Sequence, residues 1–402
     1  MTLNDWLDLL LRWTHQIAGI AWIGSSFYFI WLDSHLEAPP NPSEDTEGGL
    51  WMVHSGGFYE VLRKRVGPGR MPETLHWFKW EAAITWMSGM ALLAVVYYFT
   101  RGLYLVDPAV SRLTPGAATA LGLGAIFASW AVYDALWQSP LGRRPALATA
   151  VSYLLAAGAA YGLCHALSGR AAFLHMGALL GTLMVANVWL RILPAQQQMI
   201  DATVAGRTPD HTLGDRAKLR SVHNSYMTFP VLFVMLSNHF PGAYGRPQSW
   251  LVLVLLMLVG GAARHAMIGK GPSRRWILVP AAAALVAVAL LTGPELLPGA
   301  AAAHRAEITR ARAAQPVPFA RVQAIVLARC VYCHSGHPAN PTFGAAPSGV
   351  SFDDPRAIRL LSARIRLRAV ETKTMPLGNV TAMTGEEREL LGLWIDQGAR
   401  AD

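Results

Sequence analysis

Long apolar runs recur along the first three quarters of the chain, near residues 6–32, 76–99, 116–138, 146–167, 172–193, 222–240, 249–268 and 276–297. Each is close to the roughly 20 residues that a helix rising 1.5 Å per residue needs to cross a hydrocarbon layer of about 30 Å. The pattern predicts eight spanning helices, the sixth the shortest. The first run is too long for a cleaved signal peptide, and no basic flank or small-residue cleavage site brackets it. Past residue 298 the pattern changes. Residues 299–317 are rich in Ala, Arg and Pro and read as a linker. Residues 318–402 have the amphipathicity of one small soluble domain. The expected fold is mainly α, with a polytopic membrane helix bundle over 1–298 and a small helical domain at the C-terminal end.

Composition sharpens this picture. Charged residues make up 15% of the 402, against roughly 25% in ordinary soluble domains. With a hydrophobic fraction of 53%, that excludes a disordered chain and argues against a wholly soluble enzyme. The formal charge of +9 fits either nucleic acid or an anionic membrane surface, so placement decides. With the N-terminus outside, the loops 34–74, 139–145, 191–221 and 264–275 face the cytoplasm and hold fifteen Lys/Arg, while the opposite loops hold four. This asymmetry puts both termini outside the cytoplasm and makes a nucleic-acid partner unnecessary.

Residues 330–334 read Cys-Val-Tyr-Cys-His, the C-x-x-C-H attachment signature of c-type haem. Two thiols one turn apart, Cys330 and Cys333, reach the two vinyl groups of the porphyrin, and His334 is then placed as proximal iron ligand. A zinc site would want a second Cys/His pair, and a thioredoxin-type dithiol a βαβ setting. The stretch Thr374-Met375-Pro376-Leu377-Gly378-Asn379 offers Met375 as the sixth ligand, with Met383 as the alternative. A helix over 318–330 and a last helix over 385–398, opened by a Thr384/Glu387 capping box, complete a class I cytochrome c pattern.

Ionisable residues inside spans are functional candidates by default. His15 lies in the first span, and His175 and His239 lie near outer ends. His76, His223 and His265 lie at the inner edge. His15, Gly19 and Gly24 match His175, Gly177 and Gly181, and His76 matches His223, as a duplicated four-helix unit would. His76, Lys79 and Trp80 fall at i, i+3, i+4, as do Arg220, His223 and Asn224. Together these residues suit a planar anionic substrate, with cations for charge, an amide for edges and indole for stacking. The plainer reading makes Lys79 and Arg220 snorkelling anchors, and Trp77 and Trp80 belt residues. His15 with His175, or His76 with His223, suit a second, non-covalent haem or interhelical hydrogen bonds. Asp33, Glu81, Asp134 and Arg191 also lie in or near spans, and no sequence rule selects among them. Cys164 reads as a packed small residue.

The N-terminal run Trp13-Thr14-His15-Gln16-Ile17-Ala18-Gly19-Ile20-Ala21-Trp22-Ile23-Gly24, the eight spans and the C-terminal C-x-x-C-H domain together resemble the bacterial membrane-bound urate oxidase (urate hydroxylase) family. The resemblance covers the whole chain. It implies conversion of urate to 5-hydroxyisourate in purine catabolism at the inner membrane, with electrons leaving through the cytochrome domain on the periplasmic side to a respiratory-chain acceptor. It carries over haem attachment at Cys330 and Cys333, ligation by His334 and, by motif position, Met375. An inner urate site lies about 30 Å of bilayer from an outer haem and so requires a relay; a site near His15 and His175 does not. Two other classes fit the residues without the resemblance: a quinol-oxidising electron-transfer protein, and a transporter or sensor with a redox-reporting domain.

Overall fold

The computed structural model describes residues 3–38, 45–269, 271–293, 298–313 and 315–400. The chain is mainly helical. Helix α1 (Leu3–His35) is followed by a two-stranded antiparallel hairpin, β1 (Thr46–His54) and β2 (Gly57–Lys64). Then come α2 (Trp80–Leu93), α3 (Pro115–Gln138), α4 (Pro145–Ala166), α5 (Gly169–Ala186), α6 (Leu193–Val204), α7 (His211–Leu236), α8 (Ser249–Ile268) and α9 (Leu278–Thr292). Within the bundle the helices widen into π turns at Ala94–Tyr98, after α2, and at Asn187–Ile192, between α5 and α6, and the C-terminal unit has a further one at Arg366–Glu371. Such turns occur frequently at functional sites.

Among the described residues, six helical stretches are long and apolar enough to cross a membrane: Trp80–Tyr98, Pro115–Gln138, Pro145–Ala166, Gly169–Val204, Ser249–Ile268 and Ser273–Thr292. The sequence pattern predicts eight. The two others, α1 and α7, are long at 33 and 26 residues. They carry more polar residues, including His15, Gln16 and Asp33 on α1 and Lys218, Arg220, His223 and Asn224 on α7. Helix α5 is the axis of the bundle. Phe173, His175, Met176, Leu179 and Leu183 are all buried on it, and the core around them draws on α2, α3, α4, α7 and α8.

Two stretches differ from the sequence reading. Residues 34–74 read as a connecting loop, yet 46–64 form the hairpin, with Leu50 opposite Val61 and Val53 opposite Phe58. Gly48 and Gly49 interrupt the strand alternation, and the turn is Ser55-Gly56, both with positive φ (48° and 78°), the backbone a type I′ hairpin turn requires. The second correction concerns the second span. Helix α2 begins at Trp80, with Lys79 as its N-cap, so His76 and Lys79 precede the helix and share no helical face. The aromatic run ahead of α2 packs instead of coiling: Phe78 meets Phe29 edge-on at 5.1 Å, and the Lys79 ammonium lies over Trp77. Glu81 in the first turn complements the helix dipole.

The predicted linker contains a helix, α10 (Pro298–Ala313), as its alanine content favours. Beyond it α11 (Phe319–Arg329), α12 (Pro355–Leu360) and α13 (Gly385–Asp396) surround a second apolar core of Val322, Val326, Phe352, Ile358, Met383, Leu391 and Trp394. Both halves of the capping box are formed at the start of α13: Glu387 N–H donates to Thr384 Oγ1, and Thr384 N–H donates to the Glu387 carboxylate. Arg329 donates to the same carboxylate at 3.0 Å, tying α11 to α13.

Burial pushes the Glu387 carboxyl up, but the hydrogen bonds from Arg329 and Thr384 outweigh it and hold the group below its ordinary value. The stabilisation is therefore present above the unfolded-state pKa and is lost as pH falls through the lower folded-state value. Glu387→Gln is expected to cost the C-terminal unit about 1–2 kcal/mol at neutral pH and to flatten its acid limb. Unfolding of the full chain followed between pH 3 and 7 checks both; an unchanged acid limb refutes the assignment.

Candidate functional site

Three helices build a charged, buried cluster toward the predicted inner side of the bundle. Asp134 on α3 accepts from Arg191 Nε and from Arg220 Nη2 on α7, both at 2.9 Å, and Gln138 donates to it at 2.6 Å. Beside it Tyr133 meets His223 Nδ1 at 2.7 Å and accepts from Asn187 Nδ2 at 3.1 Å. Asn187 also donates to Asn224 Oδ1 at 2.8 Å, and Asn224 donates to the Met184 carbonyl. Trp137 packs on the His223 ring at 4.1 Å, and the Arg220 guanidinium lies 4.9 Å over the Tyr133 ring.

Asp134, Asn187, Arg220 and Asn224 are all buried. One carboxylate faces two guanidiniums, so the cluster carries one net positive charge. Arg220 Nη1 and Asn187 Oδ1 are buried without a partner among the described residues. A buried unpaired donor and a buried unpaired acceptor within one cluster are costly features in a native interior.

Of the sequence candidates, Arg220, His223 and Asn224 therefore come together, joined by Asp134, Arg191, Tyr133 and Asn187. His76 stands apart from them. It lines a cavity of about 450 Å³ with Arg65, Trp77, Met199, His211 and Lys218. A neighbouring cavity of about 510 Å³ shares Arg63, Gln196 and Lys218 and reaches Ser221 and Val222, which lie between Arg220 and His223 in the chain. Lys79 contacts Trp77 and Trp80 at 5.4 and 6.0 Å.

The two upper histidines have separate environments. His15 lies against α2, its Nδ1 2.9 Å from the Thr85 carbonyl and 3.1 Å from Ser88 Oγ. His175 is fully buried, with Nδ1 2.8 Å from the Ala171 carbonyl and Nε2 2.9 Å from the Tyr98 hydroxyl. A Cβ at Gly122 would fall 2.6 Å from the His175 ring, so only glycine admits the imidazole there. Both His175 nitrogens are engaged and its ring packs against α3, while His15 packs on α2. As placed, the two do not fit as a ligand pair for a second haem.

In the C-terminal unit Cys330 and Cys333 are free thiols closing one turn: the Cys333 and His334 amides both donate to the Cys330 carbonyl, at 3.1 and 2.8 Å. Burial pushes the Cys330 thiol up to about 12. Burial also lowers the His334 imidazole from its ordinary value, favouring the neutral form that ligates metals. Its Nδ1 lies 2.9 Å from the Val350 carbonyl, the kind of contact that orients an imidazole ligand and leaves Nε2 for the metal. Met383 is buried in the apolar core. Met375 is half-buried in its loop, its amide donating to the Arg368 carbonyl. This donor set, two adjacent thiols with a neutral imidazole and a loop thioether, fits a covalently attached haem. Among the described residues no group of three or more His, Cys, Asp and Glu assembles around the motif, as a closed zinc site would need.

This unit is seated on the end of the bundle that carries His175. Arg368 donates to the Tyr244 hydroxyl at 3.0 Å. A Cβ at Gly245 would lie 2.6 Å from Thr372 Cβ and 2.8 Å from Thr374 Cγ2, and one at Gly378 would lie 3.3 Å from the Val106 carbonyl oxygen. Phe343, next to the Cys333 loop, meets Tyr104 edge-on at 6.4 Å. From there rings follow in steps of about the same length: Tyr104 to Tyr97 at 6.2 Å, and Tyr97 to His175 at 6.1 Å. Gly245→Val is expected to unseat the C-terminal unit without unfolding either core. Limited proteolysis after residue 298 would then accelerate severalfold; cleavage at the wild-type rate would show that the seat tolerates the side chain.

The fold and these sites define a class: a bundle of apolar helices able to cross a membrane, with a buried cationic cluster on one side and a thiol-bearing helical unit seated on the other. The family model for the urate oxidase N-terminal region matches residues 1–293. The chain belongs to that family, which indicates a urate-related oxidoreductase. No curated protein and no solved structure matches it significantly.

Proposed function

We propose that the protein oxidises urate to 5-hydroxyisourate in the bacterial inner membrane, and that the electrons leave through a c-type haem held by Cys330, Cys333, His334 and Met375 on the periplasmic side. The family match over 1–293 carries the substrate. The outlet rests on the C-x-x-C-H unit being docked against the bundle end at Tyr104 and Tyr244.

In this reading urate enters from the cytoplasmic face through the cavities lined by His76 and Lys218, and Lys79 holds the aromatic run at their edge. Within the cluster, Arg220 Nη1 faces a urate carbonyl and offsets the anion's charge, and Asn187 Oδ1 accepts from a ring N–H. His223 Nε2, its other nitrogen tied to Tyr133, takes the proton as water adds. Urate gains the oxygen of one water at C5 and gives up two electrons and two protons. When bound, a haem at these residues would carry one electron at a time, so a respiratory acceptor has to take the first electron before the second can leave urate.

Asn187 and His175 are twelve residues apart on one helical stretch, about 18 Å at 1.5 Å per residue. The ring series from His175 to Phe343 covers the outer part of the path.

Adding urate anaerobically to the oxidised holoprotein tests the proposal. The reduced c-type α-band should grow at a rate that saturates with urate, and Arg220→Gln should raise the half-saturating concentration at least about tenfold, the loss expected for one charge-assisted contact. A haem that stays oxidised with urate but reduces with a quinol would overturn it.

A further inference from the structure

The hairpin raises a question that urate oxidation does not answer. Its side chains alternate between two faces, as strand geometry requires. Leu50, Met52 and Val61 are half-buried on the face toward α1, where the Tyr28 hydroxyl reaches Met52 Sδ at 3.6 Å. On the other face Trp51, Val53 and Phe58 are 68%, 68% and 78% exposed, with exposed Glu60 across from Trp51 toward the foot, and no described residue covers the three. Three large apolar side chains at one hairpin tip are an unusual thing to show to water.

The direction of the hairpin says what covers them. Glu37, just past the end of α1, pairs with Gly49 through two backbone hydrogen bonds, so β1 turns back along α1. By Met52 it has reached the level of Tyr28, two turns inside the helix end. The α1 residues at that level, Tyr28, Phe29 and Trp31, are 42–45% exposed and belong to a run of spanning length. At the other end of the hairpin lie Arg63, Lys64 and Arg65, on the side to which the charge asymmetry assigns the cytoplasm.

We infer that the hairpin is a membrane-interface anchor: its tip dips into the inner leaflet through Trp51, Val53 and Phe58, with its foot, where Arg63 and Arg65 pair with Asp33 and Glu47, at the level of the lipid headgroups. Aromatic side chains concentrate at that depth. The hairpin lies at the boundary between headgroups and acyl chains and not in the hydrocarbon, where its open strand edges would leave backbone groups unpaired. A second copy of the chain is the weaker occupant, because three side chains fall far short of the roughly 800 Å² that each partner gives to a stable interface. The inference is independent of urate. It has a functional bearing because Val61, Leu62 and Arg63 also wall the 510 Å³ cavity, so lipid contact at the tip holds one wall of that cavity in place.

The test uses the full chain with Cys164 replaced by Ala, Cys330 and Cys333 blocked by haem or by alkylation, and a single cysteine at 51, 53 or 58 carrying an environment-sensitive fluorophore. The protein is placed in nanodiscs of phosphatidylethanolamine with a minority of phosphatidylglycerol. Lipids spin-labelled near the headgroup should quench labels at 51 and 58 about threefold more than a label at exposed Arg207, and more than lipids labelled at the tail end do, as an interfacial depth of about 5–10 Å requires. Equal, weak quenching at 51, 53, 58 and 207 would overturn the proposal. So would labels shielded from lipid whose emission changes with protein concentration, which would assign the face to a second copy. The three positions guard against one variant that fails to fold.

Discussion

Asp134→Ala is expected to destabilise the bundle by about 3–5 kcal/mol, the cost of removing one partner from a buried ion pair. Among the described residues Asp134 is the carboxylate that faces both Arg191 and Arg220 at the heart of the cluster, and Arg220 is almost wholly buried. Without the carboxylate, two guanidiniums face each other in a medium with little water. The loss should exceed that from Arg191→Ala, because Arg191 is partly exposed and can turn toward solvent. Combining Asp134→Leu with Arg220→Leu should recover much of the loss, since an apolar pair of similar volume often replaces a buried ion pair without penalty. Thermal unfolding of the purified variants in one detergent checks the order. An Asp134→Ala variant within about 0.5 kcal/mol of wild type, the range of ordinary surface changes, would show the cluster to be solvated.

The second large effect concerns the thiols. If the proposed haem outlet is right, Cys330→Ser with Cys333→Ser abolishes covalent haem attachment, and with it urate-driven electron transfer, while leaving the apolar core of the C-terminal unit intact. Haem staining after denaturation reads the first, and anaerobic urate oxidation with an added acceptor reads the second. His334→Ala should keep the covalent stain and shift the visible spectrum, because attachment needs the thiols whereas the iron's environment needs the imidazole. Stain surviving the double serine variant would remove the motif from the mechanism.

The helices that span by length were legible because hydropathy over some twenty residues is a local property. So were the ends of α11 and α13, where Thr384 and Glu387 announce a helix start within four residues. The hairpin was not legible, since paired glycines break its alternation and its apolar face points away from the protein. His76 and Lys79 were given a helical face because i, i+3, i+4 spacing says nothing of where a helix begins.

The charged cluster was half-legible. Arg220, His223 and Asn224 sit on one helix and show a pattern. Their partners Asp134, Asn187 and Arg191 come from other helices and become a group only through packing. Tyr133 gave no signal at all, being one aromatic among many in an apolar run. The unpaired polar atoms are a property of the fold alone.

The seat of the C-terminal unit has a kinetic consequence. Gly245 and Gly378 let two backbones approach so closely that the unit has one stance on the bundle, set by Thr372, Thr374 and the Val106 carbonyl. A tethered carrier that swings between donor and acceptor slows in viscous solvent and depends on the length of its tether. A carrier clamped in place does neither. In the reading proposed above, passage of electrons from the bundle to Cys333's neighbourhood is therefore indifferent to glycerol and to residues inserted near 314. Only the final hand-over to a separate acceptor remains a diffusional encounter.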